Sequence, residues 1–156
     1  MSDTQTPGGQ RSPPGIEQRV LALDIGARRI GVALSDAYAM LATPLTTLQA
    51  KPRERVIQQV LALVHEHSVS EVVLGLPLTL RGEIGPQARV VQEFAATLEK
   101  ALGYPVQFFD ERLTSAAAEQ LLRDMGVKPE KRKQRIDSVA AAIILQDYLD
   151  HRRNQR

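Results

Sequence analysis

The amino-acid sequence predicts a single α/β domain on a mixed five-stranded sheet, three antiparallel strands and then two parallel ones, with helices on both faces. Three observations carry this reading. Strand-like apolar runs come first and close together, over residues 19–48; the hydrophobic period then shifts to helical spacing after Pro52; and two short apolar runs, VVLGLP and VQFFD, alternate with longer helical patterns. Strands joined by short connections pair antiparallel, whereas strands separated by a helix are added parallel to the same sheet. A chain of 156 residues with 43% hydrophobic content suffices for one core and not for two.

The elements follow in order. Residues 1–18, punctuated by PGG, SPP and PG, hold almost nothing apolar and are expected to form a flexible tail. RVLALDI, Arg19 to Ile25, is apolar on both alternating faces except for one acid, the pattern of a covered central strand. A second strand, Ile30 to Ser35, starts four residues later, so the two form a hairpin in which Gly26 is available for an unusual backbone angle. A third strand is expected over Leu45 to Leu48. Val56, Val60, Leu63 and Val64 then mark a helix running to about His67. VVLGLP, from Val72, reads as a buried parallel strand ending at a loop, and a second helix spans Pro86 to Leu102, closed by Gly103. The fifth strand is Val106 to Asp110. Thr114 or Ser115 caps a third helix that stops at Gly126, a basic loop follows, and a last helix covers Ile136 to Leu149, leaving 151–156 as a polar tail.

Composition narrows the function classes. No run approaches the roughly 18 apolar residues needed to cross a bilayer. The absence of cysteine removes disulfide scaffolds, thiolate zinc sites and cysteine nucleophiles together. No apolar segment near the start could serve as a signal-peptide core, so a cytoplasmic location is expected. The net charge is only +2, but KPEKRKQR, from Lys128 to Arg135, carries five basic residues against Glu130.

Three acids stand where an acid is expensive. Asp24 lies near the end of the most apolar strand, Glu111 just past the fifth strand at the carboxyl edge of the sheet, and Asp137 in the expected first turn of the last helix. On that helix Asp137 shares a stripe with Ile144 and Tyr148, which should face the core. Taken singly, each has an ordinary reading: a turn residue, a partner for Arg112, a favourable charge at a helix start. Together, three carboxylates with no cysteine or histidine beside them form an all-oxygen site for a hard cation such as Mg²⁺ or Mn²⁺.

The runs LALDIGARRIGVALSD, VVLGLPLTLRGEIGPQA, FFDERLTS and RIDSVAAAIILQDYL closely resemble, in order and spacing, the YqgF-type family of Holliday-junction resolvases and pre-16S ribosomal RNA nucleases. The resemblance covers residues 19–150. It implies a ribonuclease H-like nuclease domain over that span, with the carboxylate triad on Asp24, Glu111 and Asp137. In two respects the chain departs from the pattern: Thr79 follows Leu78 where the family commonly has GLPLN, and the N-terminal tail extends beyond the usual start.

The expected mechanism has the three carboxylates holding two divalent ions about 4 Å apart for in-line hydrolysis of a phosphodiester. Three carboxylates against two such ions leave a site attractive to phosphate, whereas the metal-free site repels it, so metal should precede productive binding. Arg28 and Arg29 in the hairpin turn, Arg81 in the loop after VVLGLP, and Lys131, Arg132, Lys133 and Arg135 leading into Asp137 are the candidate nucleic-acid contacts. Arg112 is placed either there or as a brace for Glu111. Three Phe, three Tyr and no Trp provide few stacking platforms, which favours recognition of backbone and shape. The expected partner is structured RNA or branched DNA, and no membrane. A junction resolvase would dimerise, whereas an RNA-processing enzyme could act as a monomer. The leading reading is processing of the pre-16S RNA 5′ end; the rivals are junction resolution and a non-catalytic binding module of the same fold.

Overall fold

A computed structural model of the chain describes residues 18–111, 120, 123–124, 126 and 128–154, without the side chains of 129–134. All of the tail expected over 1–18 except Gln18, and most of the helix expected over 114–126, therefore lie outside the described residues, as does Arg112.

Five strands form one sheet: β1 (Arg19–Ile25), β2 (Arg29–Ser35), β3 (Ala42–Gln49), β4 (Val69–Leu76) and β5 (Gln107–Asp110), in the spatial order β3-β2-β1-β4-β5. β1 pairs antiparallel with β2, and β2 with β3, whereas β4 is parallel to both β1 and β5. This is the predicted mixed sheet. β3 is longer than the four residues expected from its apolar pattern. It is an edge strand, and Pro44, which cannot donate to a ladder, is accommodated there beside a register shift at Val32/Ala33.

Alternation along β1 assigns the faces. Leu21 and Leu23 pack with Ile30, Val32, Val72 and Leu74 under helices α1 (Arg53–Glu66) and α2 (Pro86–Leu102), which contribute Val56, Val60, Val91, Phe94 and Leu98. Val20 and Ala22 face the other way with Ala33 and Val73, under Ala141, Ala142, Leu145 and Leu149 of helix α3 (Pro129–Asn154). The small residues on this second face bring α3 close to the sheet. α2 ends as read from the sequence, with Gly103 in the left-handed conformation at φ +85.

α3 corrects two expectations. It begins at Pro129 rather than Ile136, so the basic stretch has a helical backbone instead of forming a loop, and Asp137 lies inside the helix rather than in its first turn. It also continues through Asn154, past the end expected at Leu149. Its far end is tied down: the Tyr148 hydroxyl donates to Glu71 at the start of β4, and Arg152 pairs with the same carboxylate while its guanidinium lies 5.2 Å from the Tyr148 ring centroid.

Candidate active site

β1, β4 and β5 are parallel, so their carboxyl ends share one edge of the sheet, and β2, running opposite, begins there. Asp24 has the strand parity of Val20 and Ala22 and therefore points toward α3. Glu111 follows β5 directly, its backbone N–H donating to the carbonyl of Leu76 at 3.3 Å. Between β1 and β5 lies β4, and the β4 residue at this point is Gly75. A side chain there would meet Glu111 Oε1 at 2.9 Å and Ile144 Cδ1 at 2.7 Å. Its absence lets the Glu111 side chain reach across β4 and hydrogen-bond with Asp24.

Two carboxyls in contact and partly buried cannot both ionise cheaply. Glu111 is pushed up to about 9, first by burial and then by the adjacent Asp24 charge. Asp24 is also raised, chiefly by burial, against the lowering effect of its Glu111 hydrogen bond, with the charge of Asp137 adding to the rise. Near neutral pH Glu111 is the protonated partner and donates to Asp24.

The third acid is placed by a glycine on β2. In the β1–β2 register Asp24 stands opposite Gly31, and the Asp137 backbone carbonyl rests on Gly31 so closely that a Cβ would come within 1.8 Å of it. The Asp137 side chain turns to Arg29, whose Nε donates to Oδ2 at 2.7 Å. The sequence suggests nucleic-acid contact for Arg29 and gives no sign of this pair. Arg29 is held at its backbone by the Gly26 N–H, which donates to its carbonyl at 2.9 Å. Gly26 is required there for close approach, since a Cβ would lie 2.6 Å from that oxygen, and not for an unusual angle.

Of the remaining candidates, Arg28 is exposed in the same turn, its carbonyl accepting from the Ala50 N–H at 2.8 Å. Arg81 is exposed in the loop that leaves β4 at this edge. That loop is closed by Thr79, whose hydroxyl accepts from the Glu83 N–H at 3.0 Å and whose N–H donates to the Glu83 carbonyl at 2.9 Å. The residue departing from the family pattern thus shapes its own turn. Arg135 is exposed; the side chains of Lys131, Arg132 and Lys133 lie outside the described residues. The edge therefore gathers Asp24, Glu111, Asp137, Arg28, Arg29 and Arg81.

A profile of the family described as RuvX, Holliday junction resolvase, matches residues 18–151. The chain belongs to this family. A relative from Chloroflexus aurantiacus named "Putative pre-16S rRNA nuclease" is 65% identical over 138 residues, 88% of this chain and 90% of the relative. One of the same name from Roseiflexus sp. is 54% identical over 142 residues, 91% of this chain and 99% of the relative. Among solved structures, T. thermophilus RuvC in complex with Holliday junction substrate superposes with a TM-score of 0.55 at 16% identity, covering 87% of this chain and 96% of that one. The RuvX-family chain thus has the RuvC-like, ribonuclease H-like fold implied by its sequence, and its enzyme class is nuclease. No helix among the described residues is long and apolar enough to cross a membrane.

The donor chemistry of the RuvX-family site suits a hard divalent cation, because Asp24, Glu111 and Asp137 offer only oxygen. Among the described residues no three acidic or histidine side chains already converge as a ligand set, and here Asp137 is paired with Arg29. The set fits a cation once Glu111 loses its proton and Asp137 leaves Arg29.

Proposed function

We propose that this chain is a divalent-metal-dependent nuclease that hydrolyses phosphodiester bonds in structured nucleic acid, and that its task is trimming the 5′ end of pre-16S ribosomal RNA. The observation that carries the reading is the Asp24–Glu111 carboxyl pair at the carboxyl edge of the sheet, with Asp137 brought beside it by the helix resting on Gly31. Asp24, Glu111 and Asp137 would hold Mg²⁺ or Mn²⁺, and bound ions would polarise the phosphodiester and activate water. Asp24, on the central strand and hydrogen-bonded to Glu111, is the fixed member of the set. Glu111 must release a proton to join it. Arg28, Arg81 and the basic N-terminal turns of α3 border this edge and would take backbone phosphates.

The names of the relatives favour RNA. The family description and the fold favour a second reading, cutting of four-way DNA junctions. One experiment separates them. A four-way DNA junction and a structured RNA carrying the precursor 5′ end are each offered with Mn²⁺, Mg²⁺ or EDTA, beside Asp24→Asn. Metal-dependent cutting of the RNA, lost in the variant, supports the first reading; cutting of the junction alone supports the second. Binding without cutting under every condition would leave a non-catalytic module.

A further inference from the structure

The Arg29–Asp137 ion pair occupies a carboxylate that the proposed reaction requires. Asp137 has 23% side-chain exposure, and the Arg29 side chain 47%. The contact is a single Nε bond, which leaves the terminal NH groups of Arg29 outside it. The two partners differ in freedom. The Asp137 backbone is pinned where it rests on Gly31, and the Arg29 backbone by Gly26 and by its ladder position opposite Gln49, so only the side chains can separate. A nucleic-acid phosphate on this sheet edge, which Arg28 and Arg81 border, can take Nε and a terminal N–H of Arg29 together in a side-on bidentate bond, and so competes for the one donor that holds Asp137.

The geometry points to Arg29 as a positioning latch: in the free protein it holds Asp137 out of the cation site, and a substrate phosphate that captures Arg29 releases Asp137 to complete that site. Nucleic acid and divalent cation then bind with positive coupling, and the coupling is reciprocal. The assembled site forms only where there is a phosphate to cut. This amends the order expected from charge alone, in which metal precedes substrate. The inference rests on the proposed metal-dependent function.

The test measures Mn²⁺ binding to the full chain by electron paramagnetic resonance, with and without a four-way DNA junction or the structured RNA, for the native protein, Arg29→Gln, Arg28→Gln and Asp24→Asn. Thermal melts establish that each variant is folded. The native protein should bind Mn²⁺ about tenfold more tightly with nucleic acid than without, within the usual range of coupling. Arg29→Gln should bind it about as tightly without nucleic acid as the native protein does with it, and nucleic acid should add little. Arg28→Gln removes the same charge one residue away; it should weaken nucleic-acid binding through its own lost phosphate contact, but with nucleic acid raised to saturation it should leave the coupling to Mn²⁺ intact. An Arg29→Gln affinity that is unchanged or weaker overturns the latch, as does an equal gain in Arg28→Gln, which would show only the effect of net charge. Mn²⁺ binding that is undetectable, or indifferent to Asp24→Asn, overturns the metal-dependent function itself and the latch with it.

Discussion

Asp24 stands opposite Gly31 in the β1–β2 ladder, and the Asp137 carbonyl fills the space that a Gly31 side chain would take. One missing methyl group thus sets the spacing between the strand that carries the first acid and the helix that carries the third. In Gly31→Ala the new Cβ would lie 1.8 Å from the Asp137 oxygen and 2.3 Å from its carbonyl carbon, and backbone cannot swing aside. The helix must lift, and Asp137 with it. The variant should lose about 3 kcal/mol of stability, the upper part of the overpacking range, or about 10 °C in Tm. Nuclease activity should fall further than stability explains. Gly103→Ala, which strains a left-handed residue far from this edge, should cost about 1 kcal/mol and leave activity unchanged. Comparable losses of activity in the two variants would contradict the argument.

Glu111 makes stability depend on pH in an unusual direction. Its carboxyl rises from the ordinary 4.5 to about 9, so between those values the folded state binds more protons than the unfolded chain. By linkage, stability in metal-free buffer should therefore decline as pH rises across that window. Glu111→Gln retains the shape of the protonated acid and should flatten the decline while abolishing cleavage. Urea midpoints at intervals from pH 5 to about 9 make the comparison. An identical slope in both proteins would show that Glu111 is already ionised. Because ligation needs the carboxylate, Mn²⁺ binding should also release a proton and tighten as pH rises.

Glu71 receives both the Tyr148 hydroxyl and Arg152, and this knot holds α3 at the edge opposite the carboxylates. Glu71→Ala leaves both donors without their acceptor and should cost about 2 kcal/mol, the ordinary scale for charged hydrogen bonds. Tyr148→Phe removes one bond but keeps the edge-on ring contact with Phe109 and the surface under Arg152, and should cost about 1 kcal/mol. The two losses should be less than additive because the residues share one contact. A double-mutant cycle by thermal unfolding measures this; strict additivity would mean that the hydroxyl and Glu71 act independently.

The strand order and α2 were legible because their signals are local: hydrophobic period, short connections, and Gly103 just past the last apolar turn. The start of α3 was not, since the basic residues before Asp137 carry no apolar period and read as a loop although their backbone is helical. Asp24 and Glu111 stand out one residue at a time, because a carboxylate on an apolar strand or at a strand end is conspicuous, and Asp137 stands out as an acid on the stripe it shares with Ile144 and Tyr148. What joins them was hidden. The partnership of Arg29 with Asp137 spans 108 positions, and no local pattern encodes it. Gly31 and Gly75 did leave a sign, because an isolated glycine within a strand often marks a close approach. Naming what approaches each of them required the packing of α3 and the reach of Glu111.

The helical backbone through Lys131, Arg132, Lys133 and Arg135 gives the basic stretch a mechanical consequence that a loop would lack. These residues extend the same helix that carries Asp137, so any phosphates they bound would be placed at a fixed distance from the carboxylates. Replacing all four with Gln preserves helix propensity and removes four charges. If each meets one phosphate of a duplex, the slope of log affinity against log salt should fall by about 3 to 4 units. Binding should weaken similarly on all duplex sequences, because phosphate contacts carry no base information. KM should rise much more than kcat falls, since the carboxylates remain in place. Filter binding across a salt series, together with steady-state kinetics at one low salt concentration, separates these effects. An unchanged salt slope would return the stretch to the role of a solvated helix end and leave Arg28 and Arg81 as the candidate phosphate contacts.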